Sequence, residues 1–293
     1  MVPRYAAERP ALDVPLERQE DPRKSAENWT LVQLRLLLQV SMASSGVDNK
    51  AEDLLRKATL AESSGARAKY ATRGLAKAGS DRTMRAMLLR QLYLSHMEAE
   101  RFEEASEIAR AAVELGVMPD VACQDLARAY LGLGRHREAV EQLRRASRVG
   151  PASRKAFHLW TLGSVLYFRE EYAGAAVALE RAVRWGTTAR PLYEAQLLLA
   201  RDRAALQPSS SSSSFAEARQ ALEAVPCGQG YGRFVLGELA HRQGDWVAAR
   251  LFLEEFIQRA DGGRVALRVG LSAELGRARA LLALLNEAAG AKL

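Results

Sequence analysis

DVACQDLARAYLGLGRHREAVEQLRRASRVGP, the stretch from Asp120 to Pro151, decides the fold of this chain. Cys123, Leu126, Ala127 and Tyr130 fall at i, i+3, i+4 and i+7, the spacing that lines one face of a helix. Gly132 and Gly134 follow, and glycine takes the left-handed conformation that ends helices. A second helix begins near Arg137 and presents Ala139, Val140, Leu143 and Ala146 at helical spacing until Gly150-Pro151 stops it. Ala127, Ala139 and Ala146 are small where two antiparallel helices must approach closely. A single helical hairpin cannot bury both its faces, so the pattern requires neighbours.

The neighbours are in the sequence. Upstream, Leu89, Leu92, Phe102, Ala105, Ala109 and Ala112 repeat the pattern; downstream, Leu162, Gly163, Tyr172, Ala175, Leu179 and Ala182 repeat it again. A further copy carries Leu236, Gly237, Gly244, Trp246, Ala249 and Leu253. The alanine after the turn (Ala105, Ala139, Ala175, Ala249) recurs at spacings of 34, 36 and 74, the last being two units plus an insertion. A helix-turn-helix period of ~34 residues, with Leu-Gly, an aromatic and alanines at fixed offsets, resembles the tetratricopeptide repeat. The resemblance implies an all-α fold, a right-handed α-α superhelix of helical hairpins with capping helices at both ends.

In that register the array spans 52–263, in units 52–85, 86–119, 120–153, 156–189, 190–229 and 230–263. The first unit is degenerate: Leu55 and Ala58 sit in its first helix, Ala71, Leu75 and Ala78 in its second, and its turn, SSGAR, has no aromatic. The fifth is interrupted by Ser209–Ser214, read as a solvated insertion in the turn, with phosphorylation of the tract as the alternative. Residues 1–24, with four prolines and alternating charge, read as a flexible arm or a docking peptide. Ser25 caps a helix whose apolar band includes Trp29, Val32, Leu36 and Val40, and Ser44–Asp48 form a turn. Residues 264–293 supply one terminal helix, Val265–Ala289, with Arg264, Arg268, Arg277 and Arg279 on its polar side.

Composition narrows the function. A hydrophobic content of 48% over 293 residues is ample for a core. Two cysteines, Cys123 and Cys227, make no disulfide framework, which points to a reducing compartment. The longest apolar run, Leu31–Val40, is far short of the ~20 residues of a membrane span, and no signal core precedes it, so a soluble, cytoplasmic protein without membrane insertion is expected. There is no phosphate-binding glycine motif, nucleophile elbow or H-E-x-x-H, and His96, His136, His158 and His241 are scattered. Neither an enzyme, a cofactor nor a metal site is expected.

The resemblance places the first helix of each repeat on the concave face. Its outward positions are then Arg90, Leu94 and Met97 in one repeat, and Gln124 and Arg128 in the next. Phe157, Trp160, Ser164, Tyr167 and Phe168 follow, and then Tyr231, Phe234 and Glu238. Exposed aromatics are what a peptide groove uses as anchors; the competing reading makes Phe157 and Trp160 core residues. The Lys, Arg and Asn set with which some relatives hold a terminal carboxylate is missing, which favours an apolar or mixed helical or extended peptide. The function expected is an adaptor or scaffold with a protein or peptide partner. The net charge of +7 and the eight basic residues from Arg128 to Lys155 leave electrostatic binding of nucleic acid or an acidic partner as an alternative. Nucleic acid is the less favoured of these partners. A homo-oligomeric assembly scaffold is the third reading.

Overall fold

The computed structural model describes residues 49–204, 212–263 and 265–290, all within the unit Val47–Leu293. The expectations for the arm, the helix beginning at Ser25 and Ser209–Ser211 lie outside the described residues. Those described form fourteen α-helices and no strand. They are α1 (Asn49–Leu60), α2 (Ser64–Leu75), α3 (Arg82–Glu98), α4 (Phe102–Leu115), α5 (Pro119–Gly132), α6 (His136–Val149) and α7 (Ala152–Phe168). Then follow α8 (Tyr172–Trp185), α9 (Arg190–Arg203), α10 (Ser212–Glu223), α11 (Tyr231–Gln243), α12 (Trp246–Asp261), α13 (Val265–Gly270) and α14 (Ser272–Gly290). From α1 to α12 the helices pair off, and each packs chiefly on its neighbours in the chain, as a solenoid requires.

One turn recurs between the paired helices. Glu100, Gly134, Glu170 and Gly244 are all left-handed, with φ of 55°, 71°, 61° and 75°. In each turn the next residue's N–H reaches back six residues inclusive. Arg101 donates to the His96 carbonyl, Arg135 to Tyr130, Glu171 to Leu166 and Asp245 to Ala240, at 2.8–3.0 Å. This is the Schellman arrangement, which satisfies carbonyls the helix leaves open. The chain reverses identically four times, and the repeats share one register.

Within a pair, a small residue faces a large one. A Cβ on Gly163 would lie 2.6 Å from Leu179 Cγ, and one on Gly237 would lie 2.6 Å from Leu253 Cδ2. The same offset of sixteen joins Ala127 to Leu143, and it joins Tyr93 to Ala109, where the sizes are exchanged. All eight side chains or glycines are buried. Gly132 has a different role from the helix breaker expected of it. It is the last residue of α5 and gives room to Phe102, whose Cδ1 would sit 2.5 Å from an added Cβ; Gly134 makes the turn.

The structure corrects three boundaries. The first pair opens at Asn49, and Ser63 caps α2 by accepting from the Ala66 N–H at 3.2 Å, so Ser64 to Arg67 begin a helix instead of filling a turn. Ser212, Ser213 and Ser214 belong to α10, so this half of the serine tract is helical. The terminal helix is two: α13 ends at Gly270, and α14 starts after Leu271. Glycine lowers helix propensity at that break by about 1 kcal/mol relative to alanine.

Candidate functional site

The first helices of the pairs, α3, α5, α7, α9 and α11, form one continuous surface tied by polar contacts about one repeat apart. Arg90 on α3 donates to Asp125 on α5 at 3.2 Å. Arg154 on α7 reaches Asp120 on α5 through Nε and Nη2 at 2.7 and 2.9 Å. Trp160 Nε1 donates to Gln196 Oε1 on α9 at 2.6 Å, and Gln196 Nε2 lies 3.5 Å from the Tyr231 hydroxyl on α11. Contacts also skip a repeat. The rings of Trp160 and Tyr231 meet edge to face at 4.9 Å, and the Tyr167 hydroxyl lies 3.3 Å from Glu238 Oε2. Elements two repeats apart touch only on the inside of a curve, so this is the concave face.

Closure at that inner radius corrects the exposure expected of the groove positions. Met97, Gln124, Ser164, Tyr167, Phe234 and Glu238 are buried. Arg90, Leu94, Arg128, Trp160, Phe168 and Tyr231 are half-buried, and Phe157 alone is open, at 39%. Phe168 stacks against Phe234 at 5.7 Å, and Phe157 against Trp160 at 5.7 Å. The structure therefore gathers the α7 and α11 residues into a single aromatic cluster. Arg90, Leu94 and Met97 stand apart from it on α3.

Buried charge is paired. Asp120 accepts from both nitrogens of Arg154 and lies 2.8 Å from His158 Nε2, whose Nδ1 lies 2.7 Å from Gln124 Oε1. Burial works to raise the Asp120 carboxyl, but the hydrogen bonds from His158 and Arg154 outweigh it and hold the carboxyl well below the usual carboxylate range. Arg67 of α2 is likewise buried against Glu98 of α3. Removal of one member of such a pair strands the other charge away from water. His158 is thus a tie between repeats.

Comparison with solved structures agrees with this geometry. The apo form of RapI superposes with a TM-score of 0.54 at 13% identity, covering 83% of this chain and 92% of that one. A tetratricopeptide repeat protein from Parabacteroides merdae superposes with a TM-score of 0.50 at 13% identity, covering 83% of this chain and 93% of its own. The chain has the tetratricopeptide-repeat fold. No family model matches the sequence, and no curated protein matches it.

In this tetratricopeptide-repeat array several site residues escaped the sequence reading. Gln196 lies thirty-six residues beyond Trp160, one repeat in the local register, but a glutamine among Leu192, Ala195, Leu198 and Leu199 carries no local sign of its partners. Tyr193, whose hydroxyl burial pushes up to about 12, packs on Trp160 at 6.0 Å. Arg277, expected on a solvent face, donates instead to Glu238 Oε1 at 2.8 Å. Glu274 is buried beside the Tyr231 hydroxyl, with Arg128 of α5 acting on it, and burial pushes its carboxyl up to about 7. No local pattern marks either residue, because their partners belong to α11 and α5. Among the described residues no cluster of His, Cys, Asp and Glu is arranged to hold a metal ion, and no helix is long and apolar enough to cross a membrane.

Proposed function

We propose that this protein is a non-catalytic adaptor that holds a segment of a partner protein on the concave face of its helical-repeat superhelix. The observation that carries the reading is the cluster of Phe157, Trp160, Phe168 and Tyr231, four aromatic side chains left partly open on a face otherwise closed by hydrogen bonds. Aromatic anchors of this kind dominate binding where they can be fully desolvated by a partner. Arg90, paired with Asp125, and Arg128 are half-buried further along the same face. A photo-crosslinking residue at Phe157 should trap the partner, whereas the same residue at Arg145, exposed on α6, should not. Trapping at Arg145 and not at Phe157 would place the interface on the outer surface.

A second reading has its own observation. Arg137, Arg144, Arg145 and Arg148 are all exposed on α6. Such a strip suits an acidic protein or nucleic acid, by attraction that weakens steeply as salt rises. Binding to heparin and to an RNA or DNA oligomer that persists near physiological salt would favour it over the concave face.

A further inference from the structure

The concave face already has a tenant from its own chain. After α12 the polypeptide turns inward: α13 lies against α3, in the second pair of the array, and α14 packs on α12 and α11. Leu275, Ala278, Leu281 and Leu285 form the buried side of α14, as a terminal helix requires. Two charged side chains go further. Glu274 is buried at the Tyr231 hydroxyl under the influence of Arg128, and Arg277 binds Glu238, whose other oxygen faces Tyr167. The segment thus places an acid and a base, three residues apart, on the groove's own donors and acceptor.

Its helix is also built loosely. At Gly163 and Gly237 an added Cβ would strike a leucine, so packing requires glycine there. At Gly270 and Gly276 a Cβ would meet nothing within 4 Å. These two glycines weaken the helix without serving close approach. Ser272, Ala273, Ala280, Ala283 and Leu284 remain exposed on the outer side of α14, where Arg279 is held to Asp261 of α12 at 3.2 Å.

We propose that Val265–Gly290 is a cis-bound ligand of the concave face, and that the partner of this adaptor is an amphipathic helix carrying the same Glu-x-x-Arg pair, which takes its place. The inference rests on the adaptor reading and adds the chemistry of the partner to it. Charge complementarity fixes the order: a carboxyl toward Tyr231 and Arg128, and a guanidinium toward Glu238.

The test uses the full chain and a fluorescently labelled synthetic peptide of Val265–Gly290. Arg277→Ala should release the segment, so that hydrogen exchange in α14 rises at least tenfold while α5 and α7 stay protected. Glu274→Lys, which sets a cation beside Arg128, should do the same; it replaces the first variant should that one lose helical circular dichroism. The labelled peptide should bind the released variant at least tenfold more tightly than it binds the wild type. A peptide carrying Arg277→Ala should lose that advantage. Unchanged exchange in both variants, or release without peptide binding, overturns the proposal. Trapping of a partner at Phe157 that an excess of the peptide, added before irradiation, does not prevent overturns it too, yet leaves the adaptor reading standing. Peptide binding with trapping only at Arg145 defeats the adaptor reading and leaves the cis contact intact.

Discussion

Glu274→Gln should make the protein more stable at pH 8 and nearly indifferent at pH 5. The carboxyl has an ordinary value of 4.5 and is pushed up to about 7 by burial in the folded chain, with Tyr231 of α11 and Arg128 of α5 facing it and working in the opposite direction. Between those values the folded state holds a proton that the unfolded state has released. Stability from this group is therefore fully present below pH 4.5, falls as pH rises, and is gone above about 7. At about 1.4 kcal/mol per pH unit the interval is worth about 3 kcal/mol. Glutamine keeps a hydrogen bond with Tyr231 and never ionises. The assay is urea unfolding of both proteins at pH 5, 6, 7 and 8, with the difference in free energy plotted against pH. Subtraction removes the histidines: burial lowers His96 and His241, so their stability is lost as pH falls and acts in the opposite sense. The difference should grow by about 3 kcal/mol toward alkaline pH. A flat difference, or a mutant less stable at pH 8, would refute the placement of Glu274 inside the concave face.

Other outcomes follow from the repeat geometry. Glu100→Gly and Glu170→Gly relieve a left-handed conformation that costs an L-residue about 1–2 kcal/mol. Each should raise the free energy of unfolding in urea by a net ~0.5–1 kcal/mol after the entropy of glycine, whereas Gly134→Ala should lower it. Gly163→Ala drives a Cβ to 2.6 Å from Leu179 Cγ and should cost about 1–3 kcal/mol. Combined with Leu179→Ala it should cost less than the sum of the single changes, in a double-mutant cycle read by denaturation. Asp120→Asn leaves Arg154 and His158 facing a neutral amide and should destabilise by about 3–5 kcal/mol. Because the Asp120 carboxyl is depressed below its ordinary 3.8, its contribution is present above that pH and is lost as pH falls. Acid titration followed by circular dichroism should therefore show the mutant without the wild type's transition on that limb.

Much of the fold was legible because a repeat writes its packing into a local period. Ala105, Ala139, Ala175 and Ala249 appear at the same offset in four of the six units, and each is fully buried in the structure. The same offsets placed the turns, although they could not separate Gly132, which makes room for Phe102, from Gly134, which turns the chain. The candidate site was legible only in part. The period puts Phe157, Trp160, Phe168 and Tyr231 on first helices, and in the structure Phe157 and Tyr231 both meet Trp160. Tyr167, Phe234 and Glu238 were misjudged as open, since nothing local says that α7 and α11 touch across α9.

The stretch from Asp120 to Pro151 thus determined, by sequence alone, the helical hairpin, its period and the face turned toward its neighbours. Side chains three or four positions apart on one helix carry all of that information. Tertiary structure alone decided how far the array curls. Curvature is the sum of small rotations at every interface between repeats, and each rotation depends on how whole side chains interlock. From that sum come the meeting of Trp160 with Tyr231, the burial of Glu238 and the return of α13 to α3.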